Sequence, residues 1–581
     1  MQYRSRRSRR RISSLGLISI IFVLLGCGSL NAASAATGAS IKITSPGSNS
    51  VVSGTVTIVT QEQTPISWMN GFVDQHWFVS DGSAKPYSVQ WDSKTVPNGK
   101  HILSVVGYND LNQPLAQNSI VVKVANPTPT PAPTPSKTPT PIATVTPAPT
   151  ATPTPSGATY YVSPNGSDSA AGTSNAPWRT IQKAADMLQP GQTAIVSAGN
   201  YGERVSIGRS GTNAAPITLQ AASGADVKLL GFDLSGSNWA LNGFDISTQT
   251  NGSTGWGIYV TGSASSDTIE NNYIHELCHE GIFMDPTVSY ISVLNNRIWQ
   301  AEMAGAQVDG TNDLVQGNEV WGTQQYPNLA GGIYSVCTTS GGADADAFRF
   351  FGQYNVFRSN YAHDIYTVSP ANPNPHTDCF QTWGSVAMKV DNILIERNLC
   401  RWPVASIAVD AETAMIEGVD GPVGTVTIQN NELSDMRQGI VVGANVAALK
   451  IYNNTWDHVL EEAVIFNDSR SPADEIINNI FYDVGAGGDS YAEVPSGSPV
   501  FQGNDFRMPG GAGLGSYPTV EPYISVDPMF TNYGDTTAAG ADFHLQPGSP
   551  LKGVGITLPE VTNDYYGSSR GTSGYSIGAA Q

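Results

Sequence analysis

The sequence predicts an all-β protein: a right-handed, three-sheet parallel β-helix preceded by a small β-sandwich and a Thr/Pro-rich linker. Three observations carry the prediction. An Asn-containing turn followed by an apolar strand recurs at Asn272, Asn296, Asn318, Asn360, Asn398, Asn431, Asn454, Asn479 and Asn504. Charged residues are only 13% of the chain while Gly numbers 60 and Pro 37, which disfavours long surface helices and suits turn-rich strands. A Thr-Pro run from Pro127 to Pro155 divides the chain into two regions of different character.

The repeat is the strongest of the three. Successive turns are separated by 24, 22, 42, 38, 33, 23, 25 and 25 residues. A period of about 24 fits one coil of a three-sheet solenoid. Asparagine suits the turn because it tolerates the left-handed conformation and its amide can bond the next coil.

At 581 residues the chain exceeds one compact domain. Residues 1–36 read as an export signal: Arg4, Arg6, Arg7, Arg9, Arg10 and Arg11 precede an apolar run from Ile18 to Leu25 that is short for a bilayer span. Three fates compete. Leu24-Leu25-Gly26-Cys27 resembles a lipobox, in which Cys27 is acylated and anchors the protein to a membrane. Ala33-Ser34-Ala35 offers ordinary cleavage before Ala36. The third is a retained anchor. Each puts the remainder outside the cytoplasm, secreted or at the cell surface. The other cysteines, Cys278, Cys337, Cys379 and Cys400, allow three full disulfide pairings there, and their spacing does not suit zinc.

Residues 40–126 alternate like short strands: Ile41 to Thr44, Thr55 to Val59, Phe72 and Val73, His76 to Val79, Tyr87 to Trp91, His101 to Tyr108 and Ser119 to Val124. The segments TSPGSNSVVSGTVTI and YSVQWDSKTVPNGKHILSVVGYND resemble bacterial immunoglobulin-like modules found beside carbohydrate-active enzymes. Trp68, Trp77 and Trp91 could stack on sugars, although a plain spacer with Trp91 in its core is the favoured reading. The linker, 127–157, favours extended polyproline II and needs no role beyond spacing.

The β-helix is expected over 158–581. Tyr160 to Gly191 combines a strand, a turn-rich loop and a helix with Ile181, Ala184, Ala185 and Leu188 on one face. It resembles the opening cap of the pectate-lyase-like β-helix proteins, and the closing segments DPMFTN, DFHLQPGSP and DYYGSSRGTSGYSIGAAQ resemble that superfamily's ending. The resemblance covers Tyr160 to Gln581. It implies a polysaccharide-active protein but not a reaction, since such helices host lyases, hydrolases, esterases, epimerases and tailspikes.

The long spacings, between Asn318 and Asn431, predict loops on one flank and a cleft beneath them. EGIFMDP, AGAQVDG, DAFRFFG and DCFQTWG superpose from Glu280, Ala304, Asp346 and Asp378. Strict alternation points the third and fifth positions inward and the second, fourth and sixth outward. One outward row is then Phe283, Gln307, Arg349 and Gln381. The next is Asp285, Asp309, Phe351 and Trp383, extended by Asp410 of IAVD. Asp346 and Asp378 should stack roughly 5 Å apart on adjacent coils, with Asp344 and His376 stacked likewise, so that their acid and base roles separate.

The run HTDCFQ at His376 resembles the NTDGFD-type motif of polygalacturonase-like glycoside hydrolases, which implies that Asp378 is a catalytic acid or base. His376 stands for Asn and Gln381 for the second Asp, and the family's paired-Asp, GHG and RIK segments are absent. The leading expectation is a glycoside hydrolase with Asp378, Asp346 and His376 as catalytic residues. Arg349, Gln381, Trp383, Asp309 and Asp410 are expected to contact substrate, and no cofactor is needed. The alternative is a polysaccharide lyase on a uronic-acid polymer, with Arg349 or His376 as base and Ca2+ held by Asp344, Asp346, Asp378 or Asp309. A non-catalytic glycan-binding adhesin is the third reading. Dull roles stand beside each: turn-capping or calcium-binding carboxylates, an Arg349 ion pair with Asp346 or Asp378, and packing for Trp383. Asp285 reads as plain surface. The partner is a polysaccharide, and a monomer is expected. The net charge of −19 argues against nucleic acid.

Overall fold

In the computed structural model the described residues are 40–126 and 157–581, apart from 64–65, 67, 74–75, 82–86, 94–98, 109–113, 248–254, 324–344, 366–376, 402–410, 486–491, 495, 508–523, 533–541 and 572–573. The chain divides into two units, Met1–Ala148 and Pro149–Gln581. The export-signal, lipidation and linker expectations, Cys27 included, lie outside the described residues. No described helix is long and apolar enough to cross a membrane.

The first unit is the predicted sandwich. Strands Ser40–Ser45, Thr55–Gln63 and Ser88–Asp92 form one antiparallel sheet, and the other holds Trp68–Val73, His76–Asp81, Gly99–Tyr108, Pro114–Val124 and the short Val51–Val52. Trp91 lies in the core with Ile58, Met69, Leu103 and Val122, so it offers no face to a sugar.

The second unit is a parallel β-helix. Each coil contributes one strand to each of three sheets. The first sheet runs from Thr159–Val162 to Val500–Gln502, the second from Gly199–Asn200 to Asp505–Arg507, and the third from Arg204–Ile207 to Ala492–Glu493. The helix Ile181–Met187 caps the opening with Ile181, Ala184 and Ala185 buried, as its periodicity predicts. Thr180 Oγ1 accepts the Lys183 amide at its N-terminus.

The recurring asparagines sit between the first and second sheets and form one continuous ladder. Asn272 donates both its backbone N–H and its side-chain amide to Asn296 Oδ1, at 3.0 and 2.9 Å. The same pair of bonds recurs coil by coil until Asn479 reaches Asn504. The structure splits the two properties expected of one asparagine. The left-handed residue is the one before: Asn271, Asn295, Ser359, Arg397, Asn430, Asn453 and Asn478 have φ between 53 and 60°. The ladder asparagine is buried, and its amide satisfies backbone that the turn would otherwise orphan.

A second row precedes the first sheet. Asp267 Oδ1 accepts the Trp239 amide, Asp313 Oδ1 the Ile291 amide, and Asn355 Oδ1 the Asp313 amide. Asn355 also donates to the carbonyls of Gly310 and Phe351, whereas Asp313 Oδ2 is buried without a hydrogen-bond partner. Burial pushes the Asp313 carboxyl up to about 8, opposed by the Ile291 amide. A raised carboxyl stabilises the fold below its unfolded pKa, and that stability is lost as pH rises through about 8. Asp313→Asn is therefore expected to flatten the fall in stability from acid to mildly alkaline pH. At pH 8 it should stabilise the fold by about 1–3 kcal/mol, the cost of a buried unpaired acceptor. Urea unfolding of both proteins across that range checks this, and parallel pH profiles would refute it.

The closing residues pack along the outside of the asparagine turns. The left-handed Asn430, Asn453 and Asn478 donate their side-chain amides to the carbonyls of Asn563, Ser576 and Ile556. Buried Arg570 donates to Asn430 Oδ1 and to the carbonyls of Ser576, Gly578 and Ala579.

Candidate functional site

The third sheet carries the predicted register. Phe283, Gln307, Arg349 and Gln381 are Cα partners on consecutive coils, in strands Ile282–Met284, Ala304–Val308, Asp346–Phe350 and Thr377–Thr382. Ile282, Ala306, Phe348 and Phe380 point inward as expected. The longer connections expected on one flank, 322–345, 364–376 and 402–410, all lie between a second-sheet strand and the following third-sheet strand, and so does 248–257, which was not expected.

One coil departs from the expected register. Its strand is Ala411–Ile416, with Met415 beside Gln381 and Ile416 beside Thr382, so AETAMI takes the register expected of IAVD, which had put Asp410 in the row of Asp309 and Trp383. Both runs alternate; Ala414 and Ile416 fill the interior places instead. Asp410, Asp344 and His376 lie outside the described residues.

Strict alternation also fails at the start of these strands. A Cβ on Gly281 would lie 2.6 Å from Ile298 Cγ2, and one on Gly305 2.4 Å from Val320 Cγ1, so the second position faces inward. Ala347 and Cys379 fill it in the next two coils, and Cys379 is bonded through the core to Cys400 of the second sheet. Two successive residues thus face inward, which turns the first position outward beside the row of Gln307 and Arg349. That position holds Glu280, Ala304, Asp346 and Asp378.

Arg349 is the centre of what results. Its Nε and Nη2 donate to Asp346 Oδ2 at 3.0 and 2.8 Å, and its Nη1 to Gln307 Oε1 at 3.4 Å. Ala304 is small enough to let Nη1 approach Glu280 Oε1, two coils away, to 3.8 Å. Gln307 Nε2 donates onward to both oxygens of Asp309, at 3.1 and 3.2 Å. Trp383 lies with its ring centroid 5.1 Å from the guanidinium carbon and edge-on to Phe351. The Asp378 amide donates to Asp346 Oδ1 at 3.3 Å, confirming that these acids are neighbours on adjacent coils.

The electrostatics follow from burial and from that one guanidinium. Asp346 and Asp378 are 0% exposed, Arg349 3%, Asp309 4% and Glu280 5%. Burial pushes Asp309 up to about 7; the Gln307 amide and Arg349 oppose it, and the negative Glu280 and Asp285 assist. Burial also opposes ionisation of Glu280, yet His279 and Arg349 outweigh it and hold the carboxyl below its ordinary value. His279 is raised by Glu280, 3.7 Å away, which is an ion-pair distance rather than a hydrogen bond.

Of the residues expected at the site, Asp346, Arg349 and Asp378 come together, with Asp309 joined through Gln307. Arg349 takes the ion-pair role with Asp346. Gln381 is buried against Met415, its Nε2 3.9 Å from Sδ, and Trp383 covers Arg349. Phe351 does not point outward; it is 1% exposed in the core, because the strand has ended and the chain turns there. Sequence reasoning missed Glu280 and the bridging role of Gln307. Glu280 opens the first of the superposed runs, in the place of Asp346 and Asp378, which was the available signal. Among the described residues no three His, Cys, Asp or Glu side chains converge closely enough to hold a metal.

Comparison with known proteins agrees with both resemblances read from the sequence. Residues 160–335 match the family described as Pel9A-like, right handed β-helix region, and residues 40–105 match the bacterial Ig domain family. The first match includes Glu280, Gln307 and Asp309 and ends before Asp346. "Pectate lyase PEL9" of Emericella nidulans is 43% identical over 82 residues, 14% of this chain and 20% of that protein. "Pectate lyase L" of Dickeya chrysanthemi is 28% identical over 203 residues, 30% of this chain and 46% of that protein. This chain therefore spans less than half the length of either relative. The crystal structure of pectate lyase Pel9A is 17% identical with a TM-score of 0.45, over 73% of this chain and 96% of that one.

Proposed function

We propose that this chain, whose residues 160–335 match the Pel9A-like region, is a polysaccharide lyase that cleaves a uronic-acid polymer of the pectate type by β-elimination. The observation that carries the reading is the placement of Arg349 beside Glu280, Asp309 and Asp346 on the outer side of the third sheet. Elimination needs positive charge opposite the uronate carboxylate and a base for the proton beside it. Arg349 provides the charge. Asp309, with a pKa of about 7, is ionised often enough near neutrality to accept the proton. The C–H electron pair becomes the new C=C bond, the neighbouring C–O bond breaks onto the leaving oxygen, and that oxygen takes a proton from water.

Hydrolysis by an Asp346 and Asp378 pair is the weaker reading. Asp346 Oδ2 takes two N–H groups of Arg349 and its Oδ1 accepts the Asp378 amide, so both oxygens are engaged in holding neighbouring groups. The relatives named pectate lyase point the same way.

The test is product analysis with purified protein on pectate and on neutral polysaccharides. Pectate should yield unsaturated uronate ends, seen by ultraviolet absorbance, in step with new reducing ends. Reducing ends without absorbance would return the hydrolase. Binding without cleavage across the panel would favour the adhesin. Three carboxylates near one guanidinium leave the site acidic and attractive to cations, so the assay is run with calcium and with a chelator. Loss of activity in the chelator adds a cation to the mechanism.

A further inference from the structure

A group of near-parallel rings faces outward from the third sheet just before the charge cluster. Tyr259, in strand Ile258–Val260, partners Phe283; Phe283 partners Gln307, and Gln307 partners Arg349. The row is thus aromatic at one end and charged at the other, with the coil of Gln307 between. Trp256 lays its ring 4.7 Å from Tyr259 and 5.6 Å from Phe283, at interplanar angles of 28 and 20°. Tyr259 and Phe283 are 5.4 Å apart at 10°. The His279 ring, 5.4 Å from Trp256, links this group to Glu280.

Packing does not account for the rings. The interior of these coils is filled by Ile258, Val260, Ile282 and Met284, each 0% exposed, whereas Trp256, Tyr259, Phe283 and His279 all keep part of their surface open. Later in the same row stand Met415 and Val441, not rings. A polar fringe borders them: Asp285 accepts hydrogen bonds from Thr261 and Tyr259 at 2.7 and 3.4 Å. Between Glu280 and Met303 the second and third sheets are joined by short turns, 278–281 and 302–303, while the longer connections enter the coils on either side. An aromatic surface with a carboxylate at its rim suits a pyranose, whose C–H face stacks while its hydroxyls donate.

We propose that Trp256, Tyr259 and Phe283 form a subsite for a sugar ring of the uronate polymer close to the ring cleaved at Arg349. Phe283 and Arg349 are two coils apart, roughly 10 Å, a separation spanned by about two linked sugar rings. The subsite rests on the lyase reading.

The test measures calorimetric binding of a long pectate oligomer, and KM and kcat on pectate, for the wild type, Trp256→Ala and Trp256→Phe. Trp256→Ala should weaken binding and raise KM by about three- to ten-fold, with kcat little changed, and Trp256→Phe should restore most of the loss. Phe283→Leu, which keeps the apolar volume, should show the same pattern if Trp256→Ala unfolds. If the wild type cleaves pectate and both Trp256→Ala and Phe283→Leu match it in KM and affinity, the subsite is wrong and the lyase reading stands. If the wild type neither binds nor cleaves pectate, the lyase reading falls and takes the subsite with it.

Discussion

Arg349→Met should lower kcat on pectate by about 10²- to 10³-fold, the usual effect of removing one preorganised charge from a developing anion. The same change strands Asp346, 0% exposed, without its guanidinium. Losing one partner of a buried pair costs about 3–5 kcal/mol, so stability must be measured with activity, by urea unfolding. Arg349→Lys separates the two effects: it keeps the charge but not the fork that meets Asp346 with two N–H groups. Arg349→Lys should therefore recover part of the rate, which depends on the charge, and less of the stability, which depends on the fork. A wild-type rate in a folded Arg349→Met protein would confine Arg349 to a structural role. The companion observation is the pH profile. With Asp309 as base, kcat/KM should rise through about pH 7, because the carboxyl works only after losing its proton. Asp309→Asn should abolish that rise.

The second large effect lies in the asparagine ladder. Asn398 stands mid-ladder: its Oδ1 accepts from the Asn360 backbone and side-chain amides, and its own amide donates to the Phe357 carbonyl and to Asn431 Oδ1. Asn398→Ala leaves buried donors and acceptors on both adjoining coils unpaired. At about 1–3 kcal/mol for each such group, a loss of about 3–5 kcal/mol is expected after relaxation. Asn398→Asp, which keeps the acceptor, should lose less. Equilibrium unfolding measures both, and a loss under about 1 kcal/mol for Asn398→Ala would mean the ladder records the turn without holding it.

The coil repeat was legible because two signals coincide at every turn: an asparagine at a fixed place and an apolar strand after it. The outward row through Gln307, Arg349 and Gln381 was legible too, since alternation within a strand depends only on the pleat. What stayed hidden has physical causes. Glycine carries no polarity, so nothing in Gly281 or Gly305 announced that the second position faces inward. Without that, the one signal for Glu280 was its place at the head of a superposed run, which does not show that its side chain reaches Arg349. IAVD and AETAMI both alternate, and hydropathy alone cannot choose between two registers a few residues apart. Arg349 posed the opposite problem: its row was right, but whether it would meet substrate or Asp346 depends on side-chain reach that a strand pattern does not encode.

The closing segment has a consequence in time. Asn430, Asn453 and Asn478 complete their hydrogen bonding only with carbonyls more than seventy residues further along the chain. The asparagine turns of the early coils bond to their immediate neighbours, so those turns can close as soon as the next one exists. The later coils must wait for Ile556, Asn563 and Ser576 before their turns are sealed. Assembly is then progressive at one end and delayed at the other. A chain stopped short of these residues would carry well-formed early coils and a row of unsealed asparagine turns, open to water and to proteases.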